Sequence, residues 1–545
     1  MRNVCLNLVS EFSTERGTAS VSALVDRARQ ARVDIVGLVD RATLIGAAPF
    51  LAEARRRELG AVVGVEFEVA SMAPAPASLE SLTAPDTYPL VLIAESAEGR
   101  ANLTRLVSLA HSRAGGGGMG QPAAGAFPSS VGRPGVGRPF LLVEDLLAHH
   151  HGLIAQSPGL VGEVSSRIQR GQADLAERLA LRLVEVFGRS AVYLGVSLHG
   201  LPAEARHAAE VAALAHRVGV PIVASDLVDH LGEDDRATRN ARLALSLDRP
   251  LVQVARDRFI APDSRFRTPS ERRRLYRDLP EALDNEVALA ERAIVRDEVP
   301  VGSGLRPGTR EAPAIGHYPL PVGRTADDYL ASIVEVRCPR EARYRSRLDE
   351  ELAESARRGL AGWFLIQWDA CRYGRRHGLA LEPAGGALRS SLIAHFLGLT
   401  DVDPVAVGLA AAHFFIEADA GAPDMIFRLP AGQRAELGAY LEQRYGKERV
   451  RRPGEVERIS PRAAVRLAGT VLGIAETDVA AAARHVTDAP GGDVAVAVAR
   501  DEHLARRYVR DPIVRDWLDL ARGLSGLVGR IEADRHALVL DAGGQ

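Results

Sequence analysis

An α/β protein with a largely parallel sheet is the fold class that this sequence predicts. Short apolar runs alternate with amphipathic stretches, each helical stretch sits between two strand-like runs, and turn residues punctuate them. "VCLNLV" opens the series as a strand. "VSALVDRARQAR" follows with Val21, Leu24, Val25 and Ala28 on one helical face, and "VDIVGLVD" is the next strand. "GAVVGVEFEVA" and "YPLVLIAES" read as further strands. Residues 113–139 are rich in Gly and Pro and predict a mobile loop. The alternation resumes beyond it: "LAERLALRLVEVFG" is a helix, "SAVYLGVSL" a strand, "AEVAALAHRVG" a helix and "VPIVASDLV" a strand. The loop therefore interrupts one domain. Residues 300–325 are irregular and read as a domain connector, with a helix-rich region after them. There is no internal repeat.

At 545 residues the chain exceeds one ordinary core, so more than one domain is expected. Apolar residues at 46% and charged residues at 25% describe a folded chain, not a disordered one. A net charge of −2 speaks against an indiscriminate nucleic-acid binder and leaves room for local basic patches. Nearly all positive charge is arginine, Lys447 being the sole lysine, which reads as coding bias. Cys5, Cys338 and Cys371 are scattered, form no CxxC and suit a reducing cytoplasm without structural zinc. The N-terminal stretch has no signal-peptide pattern and no run is long enough to span a membrane. A cytoplasmic location is expected. His149, His150 and His151 precede Gly152 at the end of "VEDLLAHHH", where imidazoles suit a helix C-terminus and consecutive residues cannot all face one ion.

Several stretches, taken in order, carry a resemblance: "LVSEFSTERG", "LVDRATLIGA", "VVGVEFEVA", "VPIVASDLVDHLGEDD", "RGLAGWFLIQWDACRYGRRHGL", "HFLGLTDVDPVAVGL", "APDMIF" and "YLEQRYGKERV". Together they resemble the C-family DNA polymerases, the family of bacterial DNA polymerase III alpha subunits, error-prone branch included. The resemblance implies a PHP-type (β/α) barrel-like N-terminal domain. A partial polymerase palm with a mixed sheet and a helical thumb follow it. Implied boundaries are 1–270 for the PHP-like domain, 271–330 for a connector, 331–433 for a palm-like fragment, 434–510 for the thumb-like region and 511–545 for a truncated palm re-entry.

In the resembled family, palm carboxylates in the pattern Pro-Asp-x-Asp-x-Asp hold two magnesium ions for phosphoryl transfer. Here Asp424 is the sole retained palm acid, because Ile426 and Arg428 fill the other two positions. Asp424 then reads as a strand-start or capping residue, and "GAPDMIFRL" as a strand kept for its packing. The Gly-rich triphosphate loop corresponds to "EPAGGALRSS", where Pro383, Gly386 and Ser391 match. Gly385 replaces the arginine, Ala387 the first serine and Glu382 the first glycine. Gly386 and Ser391 are thus the vestigial cofactor-binding residues, with Arg389 a partial substitute at best. Of the PHP metal positions, Asp40 and Glu66 survive as vestigial ligands. Cys5, Asn7, Val9, Arg41, Leu227 and Asp229 stand where other ligands belong. No cofactor is expected, although the family carries Mg2+ in the palm and Zn2+ or Mn2+ in the PHP domain. Arg41 is expected to pair with Asp40 or Glu66 in place of the metal's charge.

Three functional readings follow: a catalytically inactive polymerase-derived scaffold or regulator in replication or repair, an active error-prone polymerase completed by another chain, and a decayed gene product. The basic stretch "RYGKERVRRPGEVER" implies weak, salt-sensitive contact with DNA phosphates. "ALVLDA" near the end is expected to form a terminal strand, Leu538 and Leu540 on one face and Val539 on the other. A partner chain, a second copy or the thumb-like helices folding back is expected to cover its open edge.

Overall fold

The computed structural model describes the chain except residues 1, 74–85, 115–138, 257–261, 297–317, 383–385, 418–424, 447–448, 452–453, 487–492, 534–536 and 541–545. Most of the Gly/Pro segment, much of the connector, Pro383, Gly385, Asp424, Lys447 and the last five residues lie outside the described residues. The chain forms two compact units. The first comprises 1–308 with 457–530, and the second 309–456 with 531–545.

The first unit is built on a seven-stranded sheet in sequential order: β1 (Val4–Leu8), β2 (Ile35–Arg41), β3 (Gly60–Ala70), β4 (Thr87–Ala94), β5 (Leu153–Ser157), β6 (Val192–Val196) and β7 (Ile222–Ala224). Neighbours are parallel except around β4, which runs against β3 and β5. The sheet curls until its ends meet. Val9 N–H donates to Val228 O and Val228 N–H to Asn7 O, both at 2.9 Å, so the segment after β7 pairs with the end of β1. This is the barrel-like architecture that the resemblance implied.

Strand alternation sorts the side chains into two layers. Val4, Leu6, Ile35, Val39, Val62, Val91, Ile93, Ile154, Tyr193 and Val223 fill the interior. Leu8, Val36, Leu38, Val63, Val65 and Leu92 face outward under a shell of helices. Gly37 shows how tight the interior is: a Cβ there would stand 2.4 Å from Leu6 O. The helix Pro280–Ala293 places Leu289, Ala290 and Ala293 against the interior residues. The connector expected at 271–330 is corrected to that extent. Residues 280–293 are a helix whose apolar face packs against the barrel's interior residues.

The thumb-like region is also divided differently from the sequence expectation. The helix Arg434–Tyr445 packs in the second unit, while helices between Pro461 and Leu524 pack on the helix Arg236–Leu247 of the first. Residues 512–524 are helix, not palm. They carry Val514, Trp517, Leu518 and Ala521 at helical spacing into that core.

In the second unit, β8 (Met425–Arg428), β9 (Val450–Arg451) and β12 (Ala537–Leu540) form a three-stranded sheet. β10 (Gly454–Arg458) pairs with β11 (Val528–Ala533). β12 is the middle strand, antiparallel to both neighbours, with Leu538 and Leu540 buried as the alternation requires. The edge expected to need a cover at this strand is covered within the chain, by a strand and not by helices: β9, which lies in the stretch bounded as thumb-like, pairs along it. No described helix is long and apolar enough to cross a membrane.

Trp517 is the largest fully buried side chain in the core of these helices. It is 1% exposed and its indole N–H donates to Val465 O at 2.8 Å. Trp517→Ala is expected to destabilise this unit by about 3–5 kcal/mol. Hydrogen exchange in rising denaturant would then show residues 461–524 losing protection at lower denaturant than in the parent.

Candidate functional site: two inherited sites filled from within

The first site lies at the closed mouth of the barrel, where β2 and β3 end and the loop after β1 folds over them. Asp40 and Arg41 are neighbours on β2 and so point to opposite faces. Asp40 shares the outward parity of Val36 and Leu38. Arg41 pairs in register with Glu66, which has the inward parity of Val62. The two surviving carboxylates therefore have opposite strand parity.

Asp40 is 1% exposed. It accepts hydrogen bonds from Ser10 N–H at 2.7 Å, Ser10 Oγ at 2.6 Å and Ser13 Oγ at 2.8 Å. Burial raises its pKa above the ordinary carboxyl value, although Ser10, Ser13 and the charge of Arg16 act in the other direction. Glu66 is equally buried. Its Oε1 lies 2.5 Å from Arg16 Nη2 and 3.9 Å from Arg41 Nε. Arg41 also binds Glu15 at 2.7 Å and Glu68. Burial opposes the charge of Arg41, but Glu15, Glu68 and Glu66 outweigh it and raise the pKa. The expected exchange of a metal's charge for that of Arg41 is present toward Glu66, not toward Asp40.

Asp229 extends the network. Arg239 donates to its Oδ2 through Nε at 3.0 Å and Nη2 at 2.9 Å, and His230 Nδ1 lies 2.8 Å from its Oδ1. Burial works to raise the pKa of Asp229, but Arg239, His230 and Arg16 hold it below the ordinary value. Arg242, 2% exposed, ties the loop down by donating to Thr14 O at 2.9 Å, Gly17 O at 2.5 Å and Val528 O at 2.7 Å. Burial lowers its pKa to about 10.

Arg16, Arg239 and Arg242 were missed by the sequence reading. No spacing rule distinguishes them from the many surface arginines. This donor set does not fit a transition-metal centre. Imidazoles and thiolates suited to zinc are lacking where Asn7, Val9, Arg41 and Leu227 stand, and two guanidinium groups adjoin Glu66. Glu66 keeps one oxygen without a protein partner, too little for a cluster. Among the described residues, no three His, Cys, Asp or Glu side chains are grouped to hold a metal. His149–His151 end the helix Val143–His149, and His150 Nδ1 lies 3.0 Å from Leu147 O.

The second site is the strand and loop corresponding to the palm. On β8, Met425 and Phe427 are buried, whereas Ile426 is 55% exposed and Arg428 exposed. Ile426 thus contributes nothing to the core, which corrects the reading that the strand is filled for packing throughout. An aliphatic and a cationic side chain on that face offer a magnesium ion no oxygen ligand. Asp424 lies outside the described residues.

Gly386 begins the short turn Gly386–Ser390 with φ +63, an exposed left-handed position. Ser391 is fully buried and caps the helix Leu392–Leu397, accepting from Ala394 N–H at 3.2 Å. A carboxylate already occupies the amides at this helix start. Glu351, wholly buried, accepts from Ser391 Oγ at 3.0 Å, from Leu392 N–H at 2.8 and 2.9 Å and from Ile393 N–H at 3.1 Å. Arg347 Nε neutralises it at 2.6 Å. Backbone amides that would suit a phosphate are spent on an internal anion. Glu382 N–H donates to Arg428 O at 2.8 Å, and Arg389 is exposed.

The family model described as PHP domain matches residues 6–199, and the one described as Bacterial DNA polymerase III alpha NTPase domain matches residues 325–537. The chain belongs to the DNA polymerase III alpha family. The DNA polymerase III subunit alpha of Bacillus subtilis is 26% identical to this alpha-family chain over 548 residues, covering 100% of the chain and 44% of that protein. Its counterpart in Caulobacter vibrioides is 27% identical over 543 residues, with 98% and 45% covered. The chain thus spans less than half the length of these relatives. An amidohydrolase structure from Chromobacterium violaceum, with bound sulfate and no metal, covers 42% of the chain at 19% identity and a TM-score of 0.29, a slight likeness.

Asp229→Asn is expected to cost about 3–5 kcal/mol at pH 7, because the buried Arg239 loses its carboxylate. The folded-state pKa of Asp229 lies below the unfolded one, so its contribution is complete above about pH 4 and declines as pH falls through the folded value. Denaturant unfolding of parent and variant should differ most at neutral pH and converge in acid.

Proposed function

We propose that this alpha-family chain serves DNA replication as a polymerase-derived scaffold or regulator, catalytically silent at both inherited sites. One observation carries the reading: at each site an internal charged side chain takes the place that a metal ion or a phosphate needs. Arg16 and Arg41 meet Glu66 at the barrel mouth, and Glu351 meets the amides behind the triphosphate loop. Two-metal phosphoryl transfer needs converging carboxylates and a free phosphate cradle. Ile426 and Arg428 on the exposed face of β8 supply neither. The absence of a cofactor and a role alongside protein partners belong to this proposal. The pairing of β12 on both sides moves any docking away from that strand.

Primer extension tests the reading. A labelled primer–template, all four deoxynucleoside triphosphates and either magnesium or manganese should give no product above a blank. Extension that disappears in Asp424→Ala would overturn it. The same preparation should release no nucleotide from labelled DNA ends and hold less than one equivalent of zinc or manganese after dialysis. Stoichiometric metal that is lost in Glu66→Gln would sink the metal-free half of the proposal.

A further inference from the structure

We propose that a cleft in the second unit binds phosphate groups, presented by the backbone of a nucleic-acid strand. The cleft encloses about 450 Å³ and is lined by Arg337, Trp368, Arg372, Arg375 and Arg376. Its lining therefore carries four guanidinium groups and no carboxylate. Arg372, Arg375 and Arg376 lie at i, i+3 and i+4 on the helix Ala361–Arg376 and so share one face. Arg337 comes from a different segment, just after the helix Ala326–Glu335.

Two of the arginines are anchored where they stand. Arg337 Nη1 donates to Phe396 O at 2.7 Å and Arg375 Nη2 to Leu397 O at 3.4 Å, both at the end of the helix Leu392–Leu397. Each guanidinium has five N–H donors, so most remain available. Arg372 lies over the Trp368 ring, 5.2 Å from its centroid, which holds it by a cation–π contact. Among the described residues none of the four forms an ion pair with a carboxylate. Arg16, Arg41 and Arg239 at the barrel mouth, by contrast, are matched to acids.

A solvated helix end is the plain alternative, since Arg375 and Arg376 in the last turn suit the helix dipole. That account leaves out Arg372, a turn further in, and Arg337, which belongs to another segment. Like charges at i and i+4 repel, and a bound anion relieves the repulsion. Guanidinium forks match phosphate oxygens two at a time. The lining has no amide or hydroxyl side chain to read a base edge, and Trp368, 8% exposed beneath Arg372, offers no free face for stacking. Binding is therefore indifferent to sequence and steeply dependent on salt. The choice of phosphate over protein carboxylate rests on the replication reading above.

The full chain is titrated into a labelled single-stranded oligodeoxynucleotide and followed by fluorescence anisotropy. The variant Arg372→Glu/Arg376→Glu alters two side chains that make no hydrogen bond among the described residues. Arg178→Glu/Arg206→Glu changes the net charge equally through exposed arginines of the first unit. At about 100 mM salt the cleft variant should bind roughly tenfold more weakly or worse, with a salt slope shallower by about 1.4, as for two lost phosphate contacts. The control should bind as the parent does. Inorganic tripolyphosphate that binds the parent and not the cleft variant, with no oligonucleotide bound, assigns the same phosphate site to a free polyphosphate. Equal weakening in both variants, no binding by the parent, or a preference for poly-glutamate over either phosphate ligand overturns the proposal. None of these outcomes bears on primer extension, so catalytic silence stands or falls separately.

Discussion

A carboxylate withdrawn from water has to meet a cation, a set of donors or a proton. The barrel mouth uses the first two. Glu66 and Glu68 meet Arg41, Glu66 also meets Arg16, and Asp229 meets Arg239. Asp40, turned to the other face, has hydroxyl and amide donors, and burial raises its pKa against them. The loop that supplies Ser10, Ser13, Glu15 and Arg16 is held by Arg242 through carbonyls of Thr14 and Gly17. Barrel closure places Asp229 next to that loop, because Val228 pairs with the end of β1. Charge compensation and backbone topology thus support each other at this mouth.

The same rule governs the loop of the second unit. A helix start presents unpaired N–H groups, and an anion is the natural partner. Glu351 reaches that start from the helix Ala342–Arg357 and brings Arg347 from one turn earlier. The carboxylate satisfies the amides and the guanidinium satisfies the carboxylate. A phosphate arriving there would have to displace a buried, neutralised acid, at the cost of leaving Arg347 and Glu351 mismatched.

The fold was largely legible in the sequence because β/α alternation leaves a period that can be read residue by residue. Val21, Leu24, Val25 and Ala28 are the buried face of the first helix, as their spacing implies, and Leu538 and Leu540 are buried as alternation implies. Division into units was less legible. The helices between 461 and 524 have apolar faces that fit any apolar partner, and periodicity does not say that the partner is the helix Arg236–Leu247. The site was legible in its losses, since a missing ligand is visible in a string of letters. What replaced the ligands was not. Arg16, Arg239 and Glu351 act across sequence gaps that only the folded chain closes, and β2 and β3 are buried on both faces, so their sequences do not say which way Asp40 and Glu66 point.

Arginine serves this chain in two distinct ways, and the difference lies in what faces it. At the barrel mouth Arg16, Arg41 and Arg239 are buried against acids, so their charge is consumed internally and contributes little to any long-range field, while Arg242 is held by carbonyls. In the cleft beside Trp368 the guanidinium groups are partly anchored to carbonyls, which orient them without neutralising them. A carbonyl fixes direction and leaves the charge, whereas a carboxylate removes it. The net charge of the whole chain, −2, hides this contrast because it averages compensated and uncompensated arginines. Binding capacity in a nearly neutral protein therefore follows from the local pairing of its charges and not from their sum.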